Sequence, residues 1–146
     1  MNIHIIGGGN LGVAIALGIT SYTSNNSVSI SRRNTQSIQF LEQKGIKVTT
    51  SNTQELEKAD LVILTVKPYQ ITSVLVEILP FIAHKVIASA VSGFAIDTIQ
   101  QITQDSCSVV RIMPNIAIQF GESATCISFT EKDKKAAQPV IELFQQ

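Results

Sequence analysis

The chain has 146 residues, of which 45% are hydrophobic and 15% charged, and its eleven basic residues balance eleven acidic ones. That length suits one globular domain, too apolar for a disordered chain and without the basic excess that general nucleic-acid binding needs. No apolar run reaches the ~18–20 residues of a membrane span, and residues 13–19 lack the basic segment of a secretion signal, so a cytoplasmic protein is expected.

The first strand, about residues 2–6, runs straight into Gly7-Gly8-Gly9-Asn10-Leu11-Gly12, and a helix pattern follows over residues 10–22 with Leu11, Ala14, Ile15 and Gly18 on one face. A strand that stops at G-x-G-x-x-G and restarts as a helix grips a dinucleotide pyrophosphate. Gly7 permits the sharp turn, Gly9 lacks the Cβ that would hold phosphates away, and Gly12 lets the helix lie close to the strand. The helix N-terminus then offers free N–H groups and a partial positive charge to the anion.

After a polar loop at 23–27, a second strand is expected at 28–31 and a helix at 35–44 that turns Ile38 and Leu41 inward and stops at Gly45. A third strand follows at 46–49. Asn52 and Glu55 have capping-box spacing and predict a short helix to about Lys58. Residues 61–66 are nearly all apolar, as in a central strand covered on both faces. Pro68 then opens a helix burying Ile71, Val74, Leu75, Ile78 and Leu79. A fifth strand (86–90), a helix (97–104), two strands (108–112 and 124–129) and a last helix from Thr130 to the end complete the pattern. Strands alternating with helices at short connections predict an α/β fold of the Rossmann type: doubly wound, mainly parallel, with helices on both faces.

Two cysteines, Cys107 and Cys126, both read as small buried hydrophobes in strands, and His4 and His84 read as structural or surface residues. No Cys, His and acidic cluster has metal-ligand spacing, so no metal is expected.

In open α/β sheets the ligand lies beyond the carboxyl ends of the strands. The second strand ends in Ser31-Arg32-Arg33-Asn34, where an NAD site normally has a carboxylate for the ribose hydroxyls. Guanidinium groups and a hydroxyl attract a 2′-phosphate instead, which favours NADP(H), with the main contact left open between Arg32 and Arg33. Three further strands end in Thr65-Val66-Lys67-Pro68, Ala90-Val91-Ser92-Gly93 and Arg111-Ile112-Met113-Pro114-Asn115. Together these segments mark one edge of one sheet.

The glycine run with Asn10, Val66-Lys67-Pro68, Ser92-Gly93 and the segment from Val110 to Asn115, followed by Gly121, resemble the N-terminal half of pyrroline-5-carboxylate reductases. The likeness runs over essentially the whole chain, in the family's order, and Arg111-x-Met113-Pro114-Asn115 is its most distinctive part. Leu11, Ser92 and Ile116-Ala117 depart from the residues most common in the family. The resemblance implies an NADPH-dependent reductase that converts the cyclic imine 1-pyrroline-5-carboxylate to proline. It implies that Ile6, Gly7, Gly8, Gly9, Asn10 and Leu11 hold the pyrophosphate, and that Ser31 with Arg32 or Arg33 takes the 2′-phosphate. Asn52 would reach the adenosine end, Thr65, Val66, Lys67 and Pro68 would line the adenosine and ribose side, and Ala90, Val91, Ser92 and Gly93 the nicotinamide side. Met113, Pro114 and Asn115 would shape the floor under the substrate. No catalytic residue is assigned; Lys67 is a weak candidate proton donor.

The family's second, helical domain, which dimerises and supplies most of the substrate pocket, is not expected within residues 1–146, nor is a further strand after the last helix. The chain is therefore expected to bind NADP(H) better than it catalyses, with Val140, Ile141 and Phe144 exposed on the final helix. A related reductase of the 6-phosphogluconate or F420-dependent NADP type is the enzyme alternative, and a stand-alone NADP-binding module or redox sensor the non-enzymatic one.

Overall fold

The computed structural model describes residues 1–145. Seven strands form one sheet: β1 (Asn2–Ile6), β2 (Ser27–Ser31), β3 (Lys47–Thr49), β4 (Leu61–Leu64), β5 (Val86–Ser89), β6 (Ser108–Met113) and β7 (Cys126–Phe129). Their order is β3-β2-β1-β4-β5-β6-β7, with every pair parallel except β6–β7. Chain order therefore reverses between β1 and β4, the crevice where such sheets take their ligands.

Among the described residues four α-helices cover the sheet: α1 (Asn10–Tyr22), α2 (Ile71–Ile78), α3 (Ile96–Ile102) and α4 (Lys134–Phe144). The period of two along the strands divides the core. Ile3, Ile5, Ile30, Ile63, Val110 and Ile112 face one way and meet Ile15 and Ile19 of α1 and Val140 of α4. Ile6, Val62, Leu64, Ile87 and Val109 face the other way and meet Ile71, Leu75 and Ile78 of α2 and Ile99 of α3. Each of these isoleucines and leucines is essentially removed from water, a contribution of about 1.5–3 kcal/mol apiece. β4 is buried along its whole length because both layers press on it.

Several sequence expectations are corrected by packing. Residues 35–44 do not form an α-helix; Gln36–Lys44 is a 3₁₀ helix ending at Gly45 in the left-handed region (φ 79°). Its two buried side chains, Ile38 and Leu41, are three apart, and three residues per turn stacks them on one face. The helix expected from Asn52 is a series of turns. Ser51 Oγ, not Asn52, takes the Thr53 and Gln54 N–H groups, and Glu55 pairs with Lys47 at 2.6 Å instead of closing a capping box. Cys107 is buried just before β6, but Cys126 is exposed because it opens the edge strand β7. The apolar stripe of α4 is not left exposed: Ala137, Val140, Leu143 and Phe144 are buried against the sheet, and Ile141 packs beside them. β4 and β5 stop at Leu64 and Ser89, shorter than the apolar runs suggested.

Candidate functional site

β1 hands over to α1 through a turn that is bonded on both sides. The Gly7 and Gly8 N–H groups both donate to the Ser31 carbonyl, at 3.2 and 2.9 Å, which ties the turn to the end of β2. The Thr65 hydroxyl donates to the Gly7 carbonyl at 2.7 Å, which ties it to the end of β4. Gly7 has φ 117°, and a Cβ there would come within 2.8 Å of the Thr65 and Val66 backbone. A Cβ on Gly12 would strike the Gly7 carbonyl oxygen and lie 2.7 Å from Thr65 Oγ1. Gly12 thus lets α1 close onto the turn.

Gly9 differs from both. A Cβ built on it meets nothing within 4 Å, so its missing side chain opens space rather than relieving a clash within the protein. The first helical bond of α1 runs from Val13 N–H to Gly9 C=O at 2.9 Å, and no side chain caps the helix. The N–H groups of Asn10, Leu11 and Gly12 therefore face this space without an intrahelical partner. The first turn carries no acidic residue, so nothing offsets the positive end of the helix dipole. This cradle fits the pyrophosphate of a dinucleotide.

At the end of β2 the candidate residues part company. Ser31 is fully buried and its hydroxyl donates to Asn52 Oδ1 at 2.8 Å. Arg32 reaches back and donates from one guanidinium nitrogen to the Gly8 carbonyl at 2.8 Å, so it braces the glycine turn. Arg33 is exposed, with no hydrogen bond or ion pair among the described residues. Asn52 also donates from Nδ2 to Glu77 Oε2 on α2 at 2.9 Å. Nothing in the sequence pointed to Glu77, which lies 25 residues from its partner on a different element.

The remaining candidates line the same edge. Thr65 and Val66 are half-buried, while Lys67 and Pro68 are exposed; the Lys67 N–H is held by Gln70 Oε1 at 3.1 Å as the chain enters a 3₁₀ turn. Ala90 prolongs the ladder through its N–H to the Leu64 carbonyl at 2.9 Å, Val91 is buried, and Ser92 and Gly93 turn outward, Gly93 with φ 77°. Met113 is 61% exposed at the end of β6. Asn115 caps the 3₁₀ segment Ile116–Phe120 by accepting from the Ala117 N–H at 2.8 Å, and its own N–H donates to Ser123 Oγ at 3.1 Å. Four interstrand spacings separate the ends of β2 and β6, roughly 19 Å, so the candidates form a strip along the carboxyl edge rather than one pocket.

His4 is fully buried in β1, with Nδ1 on Ser29 Oγ at 2.8 Å and no hydrogen-bond partner at Nε2. Burial lowers its pKa to about 4, against a partial opposing pull from Glu55. It is a neutral core residue. Burial likewise pushes the Cys107 thiol up, which leaves it protonated and unreactive. Among the described residues no three His, Cys, Asp or Glu side chains could hold a metal, and no helix is long and apolar enough to cross a membrane.

Comparison with known proteins bears on this edge. The profile of the family described as "NADP oxidoreductase coenzyme F420-dependent" matches residues 2–93. The chain is 37% identical over 133 residues to pyrroline-5-carboxylate reductase 2 of Dictyostelium discoideum, covering 87% of this chain and 44% of that one. It is 31% identical over 153 residues to the pyrroline-5-carboxylate reductase of Staphylococcus haemolyticus, covering 99% of this chain and 56% of that one. In structure it is similar to a pyrroline-5-carboxylate reductase of Coxiella burnetii, with TM-score 0.87 and 26% identity, over 99% of this chain and 55% of that chain. The chain thus spans about half the length of these relatives.

Proposed function

The chain belongs to the family of NADP oxidoreductases described as coenzyme F420-dependent, and from that premise we propose that it is the cofactor-binding half of an NADPH-dependent pyrroline-5-carboxylate reductase. The observation that carries the reading is the strip along the carboxyl edge, from the glycine cradle to Met113-Pro114-Asn115. The family profile ends at Gly93, before that last segment. The pyrroline-5-carboxylate reductase of Staphylococcus haemolyticus matches this chain over 99% of its length, and so through that segment as well.

In this reading the N–H groups at the start of α1 take the pyrophosphate into the space left by Gly9. Arg33, whose guanidinium is uncommitted, takes the 2′-phosphate, and Arg32 holds the turn that presents the cradle. When bound, the reduced nicotinamide supplies the hydride for an imine carbon. Thr65–Pro68 and Ala90–Gly93 position it along the strand ends, and Met113 with Pro114 screens its far end from water. Asn115 spends its carboxamide oxygen on its own backbone turn, so it shapes the floor rather than exchanging protons. The substrate is 1-pyrroline-5-carboxylate, the product proline, and the setting cytoplasmic amino-acid biosynthesis. The relatives' remaining length supplies the substrate pocket and a homo-oligomer contact.

Two measurements test this. NADPH is expected to raise the melting temperature of the chain; no shift with either NADPH or NADH would sink the reading. Residues 1–146 joined to the remaining half of the Staphylococcus haemolyticus relative are expected to reduce 1-pyrroline-5-carboxylate. Turnover of reduced F420 with NADP by the chimera, and none of the imine, would favour the other activity named in the family's description.

A further inference from the structure

The 3₁₀ segment Ile116–Phe120 has no fully buried side chain, yet it is held against α1 on one side and tied to Asn115 on the other. A Cβ on the buried Gly18 of α1 would strike the Ile118 carbonyl oxygen, with the carbonyl carbon 3.0 Å away. The two backbones thus meet with no side chain between them. One turn further on, the Tyr22 ring lies beside Gly121, where a Cβ would come within 3.5 Å of it. Ile118 is bonded in turn to Asn115. Its N–H donates to the Asn115 carbonyl at 3.1 Å, and the Ala117 N–H donates to Asn115 Oδ1 at 2.8 Å. The loop that holds this segment leaves the sheet after Met113 and returns at Cys126, which pairs with Met113, and the Asn115 N–H to Ser123 Oγ bond closes its neck.

The sheet therefore fixes the two ends of this loop, and α1 fixes its body. The same helix carries the glycine cradle at its other end, since Asn10 and Gly18 lie about 12 Å apart along its axis at 1.5 Å per residue. One rigid element thus sets both where the phosphates of a dinucleotide lie and where Pro114 and Asn115 lie. We propose that Gly18, with Tyr22, is a positioning residue for the nicotinamide half of the cofactor: it seats Ile118 on α1 and through Ile118 holds Pro114 and Asn115 in register with the cradle. The inference rests on the NADP(H) reading above. Gly18 and Tyr22 lie two turns or more below the cradle and act only through the segment Ile116–Phe120.

The test compares two probes on the full chain: NADPH, and 2′-phospho-ADP-ribose, the same nucleotide without its nicotinamide. Dissociation constants come from NADPH fluorescence and from its displacement, with thermal unfolding to confirm that each variant folds. Gly18→Ala favours α1 itself, and the segment it pushes has no fully buried side chain to draw out of the core, so the fold is expected to survive. NADPH is expected to bind about fivefold more weakly, the size of one net hydrogen bond, with its emission shifted toward that of the nucleotide in water. 2′-Phospho-ADP-ribose is expected to bind as before. Tyr22→Ala loosens the same segment from a side chain that is 51% exposed, and it carries the test should Gly18→Ala not fold. An unaltered ratio of the two affinities overturns the proposal, whether both are kept or both are weakened alike, since an equal loss would mean a deformed cradle. Failure of the unsubstituted chain to bind either probe would overturn the functional reading itself, and this inference with it.

Discussion

The Thr65 hydroxyl donates to the Gly7 carbonyl at 2.7 Å, and this bond crosses the line between β1 and β4 where the strand order reverses. It makes the glycine turn part of the sheet rather than a loop above it. In Thr65→Val the bond is lost while the side-chain shape is nearly kept. The Gly7 carbonyl still accepts from the Gly9 N–H at 2.8 Å, so no buried group is orphaned. Urea denaturation is expected to show a loss of about 1 kcal/mol, and NADPH affinity to weaken by a similar free energy because the cradle is less firmly held.

Gly9 and Gly12 separate binding from stability. Alanine at Gly12 collides with the Gly7 carbonyl, a backbone atom that cannot swing aside, and is expected to destabilise the fold by about 1–3 kcal/mol. Alanine at Gly9 meets no protein atom within 4 Å, and its φ of −81° suits any residue. Gly9→Ala is therefore expected to unfold within about 1 kcal/mol of the unsubstituted chain, yet to lose NADPH binding by tenfold or more (about 1.4 kcal/mol) as its methyl enters the phosphate space. Thermal unfolding with and without NADPH reads both effects in one experiment.

The two arginines are expected to behave differently. Arg33→Ala removes a free guanidinium and is expected to weaken NADPH about tenfold while leaving NADH unchanged. Arg32→Ala removes the brace on the Gly8 carbonyl and is expected to cost about 1 kcal/mol of stability and to weaken both nucleotides alike. Paired titrations with NADPH and NADH at fixed salt distinguish the patterns, and equal behaviour of the two variants would refute the assignment.

His4 makes stability depend on pH. Its folded pKa of about 4 lies below the ordinary 6.5, so the unfolded chain binds its proton first as pH falls. The stability from the buried neutral ring is fully present above about pH 6.5 and declines through the window down to about pH 4, by on the order of 3 kcal/mol. Denaturant midpoints measured between pH 7 and pH 4 are expected to fall accordingly. In His4→Val this part of the slope disappears, and a slope retained by that variant would assign it to other groups.

Much of the fold was legible because its signals are local. The glycine spacing, the apolar run at 61–66, the 3.6-residue spacing in α2 and Gly45 after Lys44 each act within or beside one element. Where the reading failed, a distant partner intervened. Asn52 looked like a helix cap, but Ser31 and Glu77 take its carboxamide. Val140 and Phe144 looked exposed, but β5, β6 and β7 lie beneath them. Cys126 looked buried, but its strand is the sheet's edge.

The candidate site divides in the same way. The sequence by itself determined that a strand would break at Gly7 and restart as a helix with an uncapped N-terminus, because backbone sterics at glycine and the helix period need only neighbouring residues. It also placed arginines rather than a carboxylate after β2. Only the tertiary structure decided which arginine is free, which glycine faces open space, and that the buried Ser31 has its hydrogen committed through Asn52 to Glu77. Those are matters of hydrogen-bond partners and excluded volume between segments up to 58 residues apart, and no local pattern encodes them.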